Sequence, residues 1–223
     1  MDWVKKYDAI AKELGLSSAA DRAATILLDS LIKGVSLDSL RILLGGKKVI
    51  VFGDGPSLRD AVSYVKEKKF HEDYVYVVAD SAVSAFMEAE VLPDVLVTDL
   101  DGRLMDVLEA NWRGSLTVVH AHGDNISLLE EVVPRLHDVV GSTQVEPLGA
   151  VHNFGGFTDG DRCVFLVVYF KASEIWLAGM DFDTASLSGG DSTLKEKKLK
   201  IGKRLIEELK DETDIPIKKL KLN

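Results

Sequence analysis

From Lys48 onward, short apolar runs rich in β-branched residues alternate with longer segments whose apolar residues recur at helical spacing. That alternation predicts βα units and a largely parallel sheet. The expected strands are 49–52, 74–79, 95–98, 116–120, 139–141 and 175–178. Most of these runs are apolar throughout rather than alternating, as happens when helices cover both faces of a sheet. Helices are expected over 57–68, 81–90, 104–112, 126–136, 158–170 and 193–210. The fold class is therefore α/β, a doubly wound, mostly parallel Rossmann-like sheet with an amino-terminal helical attachment.

That attachment covers 1–46 and has the character of a docking or homodimer element. Ser18 and Asp21 have capping-box spacing ahead of Ala23, Ile26, Leu27 and Leu31. Ser36 marks a second helix start, and Gly45-Gly46 ends that segment. The catalytic domain is expected over 47–212, and the Lys-rich 213–223 forms a tail or a short edge strand.

A formal charge of −9 argues against a nucleic-acid surface, which needs clustered Lys and Arg. An anionic ligand must then be met by a metal, backbone N–H groups and a few local cations. Cys163 is the single cysteine, so no intrachain disulfide or cysteine-built metal site exists, and a reducing, cytoplasmic location is expected. The residues after Met1 lack a signal-type apolar run, and the longest apolar stretch, 164–170, is far too short to span a membrane.

The ends of the strands carry the chemistry. Val95 to Thr98 runs into Asp99-Leu100-Asp101-Gly102, and in extended backbone residues i and i+2 share a side. Two carboxylates held together call for a cation, and Mg²⁺ takes such ligands together with substrate phosphates. After the first strand, Gly53-Asp54-Gly55-Pro56-Ser57 suits a backbone that approaches a phosphate at a helix start, although the third glycine of the dinucleotide fingerprint is missing. Asp80, closing the second strand, fits a ribose contact, a metal ligand or a helix cap.

His120, His122 and Asp124 match the H-x-H-x-D spacing of metal hydrolases, so zinc is a competing reading. The alternative is a capping turn in which Asp124 and Asn125 also face the ligand. Thr158 and Asp159 open a further helix, with Arg162 one turn inside, where a guanidinium can reach a phosphate. Asp181 and Asp183 repeat the i, i+2 pair after the last strand. Several strand ends that each deliver an Asp are best explained by one acidic cleft.

Taken in order, G-D-G-P-S-L, A-D-S-A, L-P-D-V-L-V-T-D-L-D-G, H-A-H-G-D-N, N-F-G-G-F-T-D-G-D-R and L-A-G-M-D-F-D resemble the archaeal 6-hydroxymethyl-7,8-dihydropterin pyrophosphokinase family. That family is distantly similar to thiamine pyrophosphokinases. The resemblance spans about 49–183 and implies Mg²⁺-dependent transfer of the β,γ-diphosphate of ATP to a reduced hydroxymethylpterin, releasing AMP, within folate or methanopterin synthesis. It places the metal on Asp99 and Asp101. Gly53, Gly55 and Ser57 take the first ligand loop, and Asp124, Asn125, Thr158, Asp159 and Arg162 the facing loops. Asp124 or Asp159 would accept the hydroxyl proton, and Asp181 or another free carboxylate would pair with the pterin's amino edge. Ser81 stands where the family pattern suggests Gly and adds a side chain to the pocket. Nothing here resembles the all-β domain of thiamine pyrophosphokinases, which argues against thiamine as acceptor. A nucleotide-sugar transferase and a non-catalytic nucleotide-binding module are the other readings of the same D-x-D feature.

Overall fold

The computed structural model describes residues 3–32, 37–182 and 192–222. Its strands are β1 (Lys48–Phe52), β2 (Tyr74–Ala79), β3 (Val95–Thr98), β4 (Leu116–Ala121), β5 (Val139–Thr143), β6 (Val151–His152), β7 (Glu174–Ala178) and β8 (Ile217–Lys219). They form one sheet in the order β6-β5-β4-β3-β2-β1-β7-β8, with every strand pair parallel. The helices are α1 (Trp3–Leu14), α2 (Ser18–Leu31), α3 (Asp38–Leu44), α4 (Leu58–Glu67), α5 (Val83–Glu88), α6 (Leu104–Trp112), α7 (Ile126–Val132), α8 (Asp159–Tyr169) and α9 (Ser192–Glu212).

The apolar strands are buried on both faces, and successive residues divide between two sides. Val49, Val51, Val95, Val97, Ile175 and Leu177 pack with α1, α3, α8 and α9. Ile50, Phe52, Tyr76 and Val78 pack with α4 and α5, and Leu96 and Val119 pack with α2, α6 and α7. Burial of each such side chain contributes about 1.5–3 kcal/mol. This double coverage is the reason the strands lack polar alternation.

Several boundaries differ from the sequence expectation. β5 extends to Thr143 because Ser142 and Thr143, though polar, are buried and hydrogen-bonded: Ser142 to His120, Thr143 to Thr25. The two-residue β6 is too short to leave a periodic signal. The carboxyl-terminal stretch contributes β8, parallel to β7 at the sheet edge. Ser17, not Ser18, caps α2, its hydroxyl accepting from the Ala20 N–H. Asp21 does not complete a capping box; its side chain is buried and accepts from the Tyr7 hydroxyl and the Gly123 N–H. Ser36 lies outside the described residues, and α3 starts after Leu37.

Helices α1 and α2 pack on opposite faces of the sheet. The turn between them, residues 15–17, therefore passes over the carboxyl ends of the strands. Among the described residues no helix is long and apolar enough to cross a membrane.

Candidate active site

The chain lays down six of the eight strands, β1 through β6, in one direction and returns to add β7 on the other side of β1. This reversal opens a crevice at the strands' carboxyl ends, the usual ligand position in such folds. A cavity of about 330 Å³ lies there, lined by loops after the strands, by Tyr7, Leu16 and Asp21 from the amino-terminal segment, and by Lys198 of α9. Its lining holds seven aspartates and two permanent cations, Arg162 and Lys198. A polyphosphate entering such a site needs additional positive charge.

Asp99 and Asp101 on the cavity lining and Asp80, buried beneath it, bring carboxylate oxygens within 4.8 Å of one another. The pairing of Asp99 with Asp101 does not come from strand alternation, because β3 ends at Thr98. Leu100 adopts φ +68°, uncommon for a residue with a Cβ, and inserts its side chain into the core. Its N–H donates to the Thr98 hydroxyl at 2.8 Å. A buried leucine thus pins a strained turn that presents both acids.

Asp80 is fully buried, on the 3₁₀ turn after β2. Its Oδ2 accepts from the Gly102 N–H at 3.1 Å, while Oδ1 has no hydrogen-bond partner among the described residues. A Cβ at Gly102 would stand 2.7 Å from that Oδ1, so the close approach requires glycine.

The three carboxyls are driven apart in acidity. Burial, then the charge of Asp99, pushes Asp80 up to about 7. The same two causes push Asp101 to about 6. Burial would also raise Asp99, but its hydrogen bond to His122 and the Arg162 charge outweigh that and hold it well below the usual range.

Between the ordinary value of 3.8 and about 7, folded Asp80 keeps a proton that the unfolded chain has lost, so stability falls as pH rises through that window. Asp101 acts with the same sign up to about 6. Asp99 has the opposite sign, its contribution being lost only as pH falls through its depressed value. The unfolding temperature of the metal-free protein should therefore decline from about pH 4 to about pH 7. Asp80→Asn should flatten that decline, and added Mg²⁺ should restore stability at the upper end. An identical slope in Asp80→Asn would refute the assignment.

His122 donates from Nε2 to Asp99 Oδ2 at 3.1 Å, because its Nδ1 accepts from the Asp124 N–H at 3.3 Å. Asn125 is buried behind this pair. Its amide donates to the Asp99 and His120 carbonyls, and its Oδ1 accepts from the His122 N–H. Every polar atom of Asn125 is thus spent on holding the β3 and β4 loops together. His120 turns into the core toward Ser142 at 3.0 Å, and burial lowers its pKa well below the ordinary value. Asp124 stands exposed at the rim. The H-x-H-x-D spacing therefore does not close on one point, and among the described residues the metal-sized cluster contains neither histidine.

Across the cavity, Thr158 caps α8 in a capping box with Asp161. This fixes the first turn, from which Asp159 and Arg162 face the site. Arg162 is buried and donates to Asp159 Oδ1 at 3.0 Å and to Gln144 Oε1 at 2.9 Å. Burial and the charge of Asp99 push the Asp159 carboxyl well above its ordinary range, with Arg162 opposing.

The β1 loop is arranged differently from the expected phosphate cradle. The N–H groups of Gly53 and Gly55 donate to Ala178 and Gly179, and that of Ser57 to Asp181 Oδ2 at 2.8 Å. The Ser57 hydroxyl donates to the same oxygen at 2.6 Å, and Lys219 faces Oδ1 at 3.6 Å. Asp181 is thus a brace between the β1 and β7 loops, and Gly53 and Gly55 form a wall of the cavity. Ser81 lies on the lining, as its side chain suggested; Asp183 lies outside the described residues.

Tyr7, Asp21, Gln144 and Lys198 also line the cavity, and none of them carries a site signal in the sequence. Asp21 carried the signal of a helix cap, and Tyr7 that of an amphipathic core position. The two bond each other, and their further partners, Gly123 for Asp21 and Gln144 for Tyr7, are more than a hundred residues away, beyond the reach of a local pattern.

Three relatives named 6-hydroxymethyl-7,8-dihydropterin pyrophosphokinase align along nearly the whole chain. The protein from Methanocaldococcus jannaschii is 38% identical, covering 96% of this chain and 97% of that one. The protein from Methanothermobacter thermautotrophicus is 39% identical, with 97% of each covered. That from Pyrococcus furiosus is 42% identical, with 94% of each covered. Among solved structures, a MAf glycosyltransferase from Magnetospirillum magneticum AMB-1 is similar with a TM-score of 0.51 at 13% identity, over 80% of this chain and 30% of that one, a likeness of fold alone. Residues 22–186 match the family described as 6-hydroxymethylpterin diphosphokinase MptE-like, and the chain belongs to that family.

Proposed function

We propose that this protein is a 6-hydroxymethyl-7,8-dihydropterin pyrophosphokinase that moves the β,γ-diphosphate of ATP to the acceptor's hydroxymethyl oxygen and releases AMP, within folate or methanopterin synthesis. The observation that carries the reading is the cluster of Asp80, Asp99 and Asp101 facing a buried arginine, in a chain whose relatives bear that name.

The cluster suits a hard divalent cation. It offers only carboxylate oxygens, and the buried Asp80 Oδ1 lacks any other partner. Asp99 and Asp101 would hold Mg²⁺, with Asp80 behind them, and the ion would supply charge neutralisation and polarisation of the bridging phosphates. Arg162 meets charge on the transferred diphosphate from a dry position, where electrostatic contacts are strongest. Lys198, on the rim and near enough to lower Asp101, draws the polyphosphate inward. Asp159 accepts the hydroxymethyl proton, its raised basicity suiting that task. His122, donating to Asp99, keeps that carboxylate ionised and oriented.

The test is an incubation with ATP, Mg²⁺ and reduced hydroxymethylpterin that resolves AMP from ADP. AMP should form in step with pterin diphosphate. ADP as product, or no ATP consumption with this acceptor, would sink the reading.

A further inference from the structure

One hydrogen-bonded chain runs from the amino-terminal helices to the buried arginine, and its direction is set at both ends. A guanidinium only donates, so Gln144 must turn Oε1 toward Arg162 Nη2, at 2.9 Å. The Gln144 amide N–H₂ then faces the Tyr7 hydroxyl oxygen at 3.0 Å. The Tyr7 proton is thereby directed to Asp21 Oδ2, a carboxylate that only accepts. Asp21 Oδ1 takes the Gly123 N–H at 2.8 Å, in the turn that carries Asp124. Tyr7, Asp21, Gln144 and Arg162 all belong to the cavity lining, and Tyr7 is fully buried.

We propose that Tyr7 and Gln144 are positioning residues: through them helix α1 fixes the Arg162 guanidinium where it meets the transferred diphosphate. This rests on the role given to Arg162 above. Among the described residues the guanidinium has two side-chain partners, Asp159 on Nη1 and Gln144 on Nη2, and its Nε has none. Without Gln144 held in place, only the Asp159 contact would orient it, and that carboxylate is itself needed for chemistry. Helix α1 is therefore part of the active site although its residues lie far from the strand-end motifs in sequence.

Tyr7→Phe keeps the ring in the core and deletes only the hydroxyl. Gln144→Met breaks the same chain from the other side at similar volume. Each should lower kcat for AMP formation on the order of 10–100-fold, the scale of a misplaced reacting group, with the KM for the pterin unchanged. The double variant should be no slower than the worse single one, because both remove one linkage. Multiplying losses, or a kcat equal to wild type with only the unfolding temperature lowered, would overturn the proposal in favour of a structural role. Crystal structures of wild type and Tyr7→Phe give a readout independent of the reaction. A lost or displaced Gln144–Arg162 contact is expected, and an unchanged one refutes the inference. A wild-type enzyme that makes no AMP would instead refute the proposed function, leaving this structural comparison decisive for Tyr7.

Discussion

Asp99→Ala should lower AMP formation by at least roughly 10³-fold, equivalent to about 4 kcal/mol of transition-state stabilisation. Asp99 is the carboxylate held ionised by its surroundings, while its two neighbours are pushed toward their neutral forms. Its removal takes away the anchor of the proposed metal cluster and the acceptor of His122. The fold should survive, because Asn125 reaches the backbone carbonyl of residue 99, which alanine retains. Of the three carboxylates Asp99 is also the one whose ionised form the fold favours, so its deletion removes a stabilising contribution from the metal-free protein. The variant should therefore still unfold cooperatively, at a somewhat lower temperature than wild type without Mg²⁺, and lose most of the stabilisation that Mg²⁺ gives. Metal-dependent turnover within tenfold of wild type would show that the pair is only a hydrated turn.

Gly179→Ala should produce the largest loss of stability. Gly179 sits at φ +61°, where a Cβ is strained, and that Cβ would lie 2.2 Å from the Gly53 carbonyl oxygen and 3.1 Å from the Leu58 side chain. Neither neighbour can retreat: the loop from Gly53 is tied to β7 through the Gly53 and Gly55 N–H groups, and Leu58 is in the core. Backbone strain together with the displaced loop should cost about 3 kcal/mol. For a chain of this size that corresponds to a fall in Tm of roughly 6–12 °C. The displacement also spreads the β1 and β7 loops at the crevice, so activity should fall with stability. A Tm within about 2 °C of wild type would contradict this packing.

The sheet was legible because its strands are continuous apolar runs, a pattern produced by burial on both faces. The site was legible in its acids, since Asp80, Asp99, Asp159 and Asp181 all stand where a strand or loop meets a helix or the cleft. What escaped was the wiring between distant segments. The glycine loop after β1 looks like a phosphate cradle by composition, yet its N–H groups are taken up by residues 178–181, which no local pattern connects to it. Asp21 looks like a cap because capping spacing is a local signal, whereas its partners Tyr7 and Gly123 are set by tertiary packing. The left-handed Leu100 carries no sequence mark either, because only the core that receives its side chain makes that conformation tolerable.

The passage of residues 15–17 over the strand ends has a consequence for the order of folding. The cleft is closed by hydrogen bonds that bridge 102 residues, from Asp21 to Gly123, and 137 residues, from Tyr7 to Gln144. Contacts at such separation carry a large loop-closure cost and form after the local βα units. During synthesis the first two helices emerge long before the loops they must meet, and they wait with apolar faces uncovered. The strand-end cleft is consequently among the last features to assemble, and a nascent chain that has built only its first strands has no complete part of it.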